Sequence, residues 1–392
     1  MSGLAMRHRR QLRRPAGDGG EAAFLAAFAE LREGVGSHAP SIPSVQGVLG
    51  RPLTVDACFL SNPYATDVVL RRLAAAMADE RQLRQIVECY PTQAPALAQL
   101  VAPLAGVDPA MLFLGNGATE AISAVLRTGG RVLLPIPTFS PYYEFARGDV
   151  IFHRTLEPDA ERRAADLLDL ARRTHPDVVV VINPNNPDGF AYDADRLTQL
   201  LADLSTVCGE VILDDSFAGL AVDWQPTSAR SLVEALPNLV IIRSLSKEYG
   251  IAGLRLGYAI ARPERIRELS AGVLWNINGL GEHFIRALCD HTFCDELATA
   301  RDRYLCDVAG FLEDVARVPH ADALPSRTNF VLLRLAPHVD PHVLVGRLLY
   351  RNGIYVRPCE DKIGLDASFV RVAAGRAASN QLVIDALACC LG

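Results

Sequence analysis

The chain has 392 residues, half of them apolar and 21% charged, which is ample material for a buried core and comfortable for two domains. Its net charge of −6 argues against a nucleic-acid-binding or membrane-surface protein, and no apolar run reaches the ~18 residues of a membrane-spanning helix. The 9 cysteines show no CxxC pair and no metal-ligand spacing, so they read as reduced thiols of a cytoplasmic protein without a metal site. In chain order, "RHRRQLRR" within residues 1–18 predicts a solvated, disordered basic tail. Residues 20–34, "GEAAFLAAFAELREG", carry apolar side chains at helical spacing, and a Pro/Ser/Gly-rich connection follows. From roughly residue 85 strands and helices alternate. "RVLLPIP", "DVVVVINP", "EVILDD", "NLVIIRS" and "LRLGYAIA" are Val/Ile/Leu runs without polar alternation, as expected of strands buried on both faces of a mostly parallel sheet. Helical stretches such as "DADRLTQLLADLSTV" lie between them. A long helical pattern, "ALCDHTFCDELATARDRYLCDVAGFLEDV", precedes the final strands "TNFVLLRL", "GIYVRPC" and "SFVRVAAG". The expected fold is α/β: a large domain over 86–290, its mostly parallel sheet sandwiched by helices, and a smaller α/β domain made from 19–85 and 291–392.

Three polar clusters, "NPNNPDG", "DDSF" and "SLSK", each follow an apolar strand, and ligands of open α/β sheets bind at the carboxyl ends of strands. The last of these holds Lys247; Lys362 is the only other lysine among 39 basic residues. A lysine kept in an arginine-rich chain points to chemistry a guanidinium cannot do, such as forming an imine with an aldehyde. A pyridoxal phosphate enzyme needs that amine, and its other requirements each have a candidate. Asp214, closing "EVILDD", is suited to pair with the pyridine nitrogen, and Asn186 in "INPNNPDG" to donate to the ring's phenolic oxygen. "GNGATEAI" leads from a strand into a helix and offers the backbone at Gly117, Ala118 and Thr119 to phosphate. Ser244, Ser246 and Arg255 complete that cup, and Phe139 in "PIPTFSPYYEF" stacks on the ring. Lys362 in "CEDKIG" reads as solvated, and Asp215 as structural.

Taken in order with "SNPYATD", "CYPTQAPALAQLVAPLAGV", "RTNFVLL", "GIYVRPC" and "FVRVAAG", these motifs resemble the aspartate aminotransferase fold of class I/II pyridoxal phosphate enzymes. Within that family the sequence is most similar to histidinol-phosphate aminotransferases and threonine-phosphate decarboxylases. The resemblance implies pyridoxal phosphate held as a Schiff base on Lys247, with Arg255 as the phosphate arginine. It implies a homodimer with shared active sites, in which Tyr90 reaches the phosphate of the neighbouring subunit's cofactor. Arg371 matches the family's substrate-anion arginine, Arg357 a second arginine near the substrate's far end, and Asn329 the asparagine of the "NF" strand; Asn186 also faces substrate.

Four departures bear on the substrate. Phe217 stands where histidinol-phosphate aminotransferases carry a tyrosine, "NPTG" reads "NPDG" with Asp188, "NPYG" reads "NPYA" with Ala65, and the basic extension has no counterpart. A carboxylate at Asp188 is expected to change the charge seen by substrate, and Ala65 to alter the segment covering it. The leading expectation is an aminotransferase acting on an amino acid or a phosphorylated amino compound. The alternative is a decarboxylase of a phosphorylated or phosphonate-bearing amino acid, favoured by Phe217 with Arg357 and Arg371. A third reading is a non-catalytic binding protein of the same fold.

Overall fold

The computed structural model describes residues 18–392 apart from 37, 128, 223–227 and 274–275. The basic tail expected at the N-terminus lies outside the described residues. Strand β1 (Val55–Ala57) belongs to a small sheet that only the C-terminal strands complete. The larger sheet is built from β2 (Leu112–Gly115), β3 (Val132–Ile136), β4 (Val150–Arg154), β5 (Val178–Ile182), β6 (Glu210–Asp214), β7 (Leu239–Ser244) and β8 (Gly257–Ile260). Its spatial order is β2-β8-β7-β6-β5-β3-β4; β8 runs antiparallel to both neighbours and every other pairing is parallel.

Both faces of this sheet are covered, which is why its strands read as unbroken apolar runs. Along β5, Val179 and Val181 join Leu213, Ile241 and the helix Ala194–Ser205 in one core. Val178 and Val180 point the other way, into a second core with Ile212, Ile242 and the helix Ala118–Leu126. Only the edge strand β4 escapes the pattern, with a single buried residue, His153.

The small sheet adds β9 (Ala321–Ala323), β10 (Phe330–Leu335), β11 (Ile354–Pro358) and β12 (Phe369–Ala373) in the order β1-β11-β12-β10-β9. It is antiparallel except where β1 lies along β11. The expected N-terminal helix spans Asp18–Glu33 and sets Phe24 and Phe28 one above the other on one face. Both rings are buried in the core beneath this sheet, Phe28 edge-on to Tyr355 at 6.2 Å. Burying each ring contributes on the order of 1.5–3 kcal/mol and fastens the N-terminal segment to the C-terminal strands. The helices His291–Val315 and Ala377–Leu391 close the same core. The carboxyl ends of β5, β6 and β7 therefore face β12 of the small sheet across a cleft.

Candidate active site

Lys247 sits in the one-turn helix Leu245–Glu248 directly after β7. Ser244 caps that helix by accepting from the Ser246 N–H, and the Ser246 hydroxyl donates to the Leu256 carbonyl, so both serines shape the lysine's turn. The Asn62 N–H donates to the Lys247 carbonyl at 3.1 Å, and the Thr66 hydroxyl to the Gly250 carbonyl at 2.9 Å. The segment carrying Ala65 thus clamps this turn; Ala65 itself is fully buried in the helix Pro63–Ala78. Lys247 is half-buried at the cleft floor, and its amine is pulled down to about 8, first by desolvation and then by the nearby Arg371 and Arg255 guanidinia, with Asp214 opposing. At pH 7.5 roughly a quarter of such an amine is neutral, against about a thousandth at the ordinary lysine value.

Asp214 ends β6 and is buried. It accepts from the Tyr142 hydroxyl at 2.7 Å and from the Ser216 N–H at 2.9 Å. Burial raises its carboxyl, and these bonds hold it down. Tyr142 is fully buried and escaped the sequence reading, because nothing in "SPYYEF" tells which tyrosine turns inward. The neighbouring Asp215 is structural as expected, accepting from Arg243 Nε at 3.0 Å.

On the other side, Gly117 caps the helix Ala118–Leu126 with φ +86°. A Cβ there would come within 2.8 Å of an Arg255 terminal nitrogen, so the guanidinium lies directly against the Gly117 turn at the first amides of the helix. Phe139 is half-buried, packed against the core of the Ala118–Leu126 face. Asn186 accepts from Arg371 at 2.6 Å, and a second Arg371 nitrogen donates to the Cys58 carbonyl at 2.7 Å. Arg371 Nε is buried and has no hydrogen-bond partner among the described residues. Arg357 stands directly opposite Arg371 in the β11–β12 register. Like charges facing across a strand pair are destabilising unless an anion lies between or beside them. Phe217 is buried edge-on to Phe330 at 5.2 Å, with Leu60 and Ala373, and gives the cleft an apolar wall.

Two expectations change. Asp188 does not face substrate: it is buried, paired with Arg163 at 2.8 Å, and accepts from Asn185 at 2.7 Å. No local signal points to this partner, 25 residues upstream on the helix Ala160–Thr174. Lys362 is not solvated: its side chain is 11% exposed and lies 3.4 Å from Asp361, which also accepts from Arg357 at 2.6 Å. Asn329 donates to the Tyr304 hydroxyl at 3.1 Å, which donates in turn to the Ala374 carbonyl, so it braces the end of β12. Tyr90, two residues past the helix Glu80–Glu88, is 88% exposed and makes no hydrogen bond to the cleft residues described above.

These residues fit pyridoxal phosphate. Lys247 would bind the aldehyde, Asp214 would face the pyridine nitrogen, and the Gly117 turn with Arg255 would hold the phosphate. An apolar cavity of about 410 Å³, against β2 and the helix Pro263–Ser270, contains none of them.

The model of the aminotransferase class I and II family matches residues 59–387. An L-serine phosphate decarboxylase of Campylobacter jejuni is 36% identical over 368 residues, covering 91% of this chain and 94% of that protein. The solved structure of a decarboxylase from Sulfurospirillum multivorans superimposes with a TM-score of 0.86 at 34% identity, covering 95% of this chain and 97% of that one. The histidinol-phosphate aminotransferase of Chlorobaculum tepidum is 28% identical and covers 64% of this chain and 71% of its own. These likenesses overturn amino transfer as the leading reading, since the relatives that span nine-tenths of the chain at 34–36% identity are decarboxylases. Sequence motifs common to both activities had hidden the difference. By its matched family model, its fold and its site, this chain belongs to the class I and II aminotransferase family of pyridoxal phosphate enzymes.

Proposed function

We propose that the chain is a pyridoxal-phosphate-dependent decarboxylase of a phosphorylated amino acid, with O-phospho-L-serine as its substrate. The observation that carries this reading is the likeness to the Campylobacter jejuni L-serine phosphate decarboxylase over 91% of the chain. The paired arginines of β11 and β12 support it, because they suit a substrate with an anion at each end.

Bound here, pyridoxal phosphate supplies the electron sink for the pair released when a bond to the substrate's Cα breaks. The chain's own residues do the rest. Arg371, steadied by Asn186 and the Cys58 carbonyl, and Arg357 bind the anionic groups and orient Cα. Phe217, Phe330 and Leu60 keep water from the reacting face. Asp214, whose carboxylate accepts from Tyr142 and Ser216, would face the pyridine nitrogen of the cofactor. Lys247 holds a proton at Nζ and delivers it to Cα in the position vacated by CO2. One C–C bond breaks, one C–H bond forms, and no keto-acid acceptor is consumed.

The same reading makes the enzyme a cytoplasmic homodimer in which Tyr90 completes the partner's phosphate site; the exposure of Tyr90 and Val87, 88% and 73%, supports a covered face there. All 9 cysteines are free thiols, in keeping with a reducing compartment. No described helix is long and apolar enough to cross a membrane. Incubating the holoenzyme with O-phospho-L-serine and no keto acid is the test. CO2 and O-phosphoethanolamine in equal amounts are expected; no release of CO2, with amino transfer appearing once 2-oxoglutarate is added, would overturn the proposal.

A further inference from the structure

The turn over residues 359–365 connects β11 to β12 and reaches across the cleft. It is closed internally by the Lys362 N–H to the Cys359 carbonyl and the Leu365 N–H to the Lys362 carbonyl, both at 3.0 Å. On its outer side Glu360 accepts from Arg32 of the N-terminal helix, and His342 approaches the same carboxylate at 3.3 Å. At its tip Gly364, with φ +95°, lies against the backbone of Ile136 and Pro137 at the carboxyl end of β3, where a Cβ would meet the Pro137 nitrogen at 3.3 Å. The turn therefore bridges the small sheet and the ligand-binding edge of the large one.

Its inner side carries charge. Asp361 Oδ2 is shared between Arg357 at 2.6 Å and Lys362 at 3.4 Å. Asp361 Oδ1 is buried without a hydrogen-bond partner among the described residues, as is Arg371 Nε. Arg371 acts electrostatically on both Lys247 and Lys362, so the cluster is continuous with the reacting lysine. Two cations, Arg357 and Lys362, thus share one carboxylate, and a third, Arg371, stands opposite Arg357 in the strand register. The excess of positive charge suits a phosphate dianion better than a second carboxylate.

We infer that Lys362 and Asp361 set the specificity of this subsite: Lys362 joins Arg357 in gripping the substrate's phosphate, and Asp361 is a resident carboxylate that turns away amino compounds ending in a carboxylate. This rests on the reading of the site as one for a phosphorylated amino acid. An incoming carboxylate offers Arg357 only what Asp361 already supplies without any cost of association. A phosphate brings more charge and three acceptor oxygens, and spans Arg357 and Lys362 together. Lys362 suits the task because a flexible ammonium can leave Asp361 and follow the phosphate.

The test uses three amines that lack an α-carboxylate, O-phosphoethanolamine, 4-aminobutyrate and ethanolamine, titrated into the holoenzyme while cofactor absorbance is recorded. None can lose CO2, so the result does not depend on whether decarboxylation is the reaction. Lys362→Met is expected to weaken O-phosphoethanolamine binding by about tenfold or more while ethanolamine changes by less than about twofold. Lys362→Arg is expected to recover most of the loss, and Asp361→Asn to tighten 4-aminobutyrate by about fivefold or more. Equal effects of Lys362→Met on the phosphorylated and plain amines, or no effect on either, would overturn the role of Lys362. Unchanged 4-aminobutyrate binding in Asp361→Asn would overturn that of Asp361. Should Asp361→Asn fail to fold, Lys362→Met and Lys362→Arg still decide whether the subsite grips phosphate.

Discussion

Replacing Asp188 by threonine would restore the turn sequence common in this family and should nevertheless damage this protein. Arg163 donates to Asp188 Oδ2 at 2.8 Å and Asn185 to Oδ1 at 2.7 Å, and the two ion-pair side chains are 5% and 3% exposed. Removing one member of a buried pair leaves the other charge uncompensated, a cost of about 3–5 kcal/mol. The orphaned Asn185 donor adds about 1 kcal/mol. Arg163 keeps its place over the Phe190 ring, 4.1 Å from the centroid, in both forms, so the loss is taken at the low end of the range, about 4 kcal/mol. An unfolding entropy of about 0.8 kcal/mol/K for a chain of this length turns that into a fall of about 5 °C in melting temperature. Calorimetry on Asp188→Thr, Arg163→Met and the double variant measures it. The double variant should be at least about 2 kcal/mol more stable than the sum of the single losses implies. Additive losses, or a fall of less than about 1 °C in Asp188→Thr, would refute the argument that the pair is buried and mutually dependent.

Tyr142→Phe removes a hydrogen bond to a buried carboxylate, about 1.5–3 kcal/mol, and should weaken pyridoxal phosphate binding by about tenfold to a hundredfold in absorbance titrations with the melting temperature little changed. The rate at which apo-protein captures the cofactor should rise with pH and level off above about 8, as Lys247 loses its proton; Arg371→Leu, which removes a positive neighbour, should move that midpoint upward in stopped-flow traces. Burial, with Arg163 nearby, depresses His153 to about 4, below its unfolded value of 6.5. Its stabilising contribution is therefore complete above pH 6.5 and is lost as pH falls toward 4, about 3 kcal/mol in all, so His153→Gln should show a shallower acid limb in denaturation midpoints.

The parallel strands were legible because burial on both faces leaves no polar residue in Val178–Ile182 or Val132–Ile136. The edge strand Val150–Arg154 was not, because one buried side chain in five makes no pattern. The placement of Lys247 and Asp214 directly at strand ends was legible because it is a local fact of sequence. Asp188 and Lys362 were misread for the same reason as each other. Each looks polar in its own segment, and the segment does not show what buries it: for Asp188, Arg163 on another helix; for Lys362, a turn that folds it inward with Asp361 shared between it and Arg357. Decarboxylation was read only as the alternative to amino transfer, because both use the same kinds of residue around the cofactor and differ in how the substrate is held.

The N-terminal helix holds the far side of the turn through Arg32 and Glu360, partners 328 residues apart in the chain. During synthesis at about 5–20 residues per second, that helix waits on the order of 15–65 s before its partners exist. Throughout that interval Phe24 and Phe28 have no sheet to cover them. The small domain thus becomes competent only as the last strands emerge, and the newborn chain is most exposed to chaperones and proteases at the end it made first.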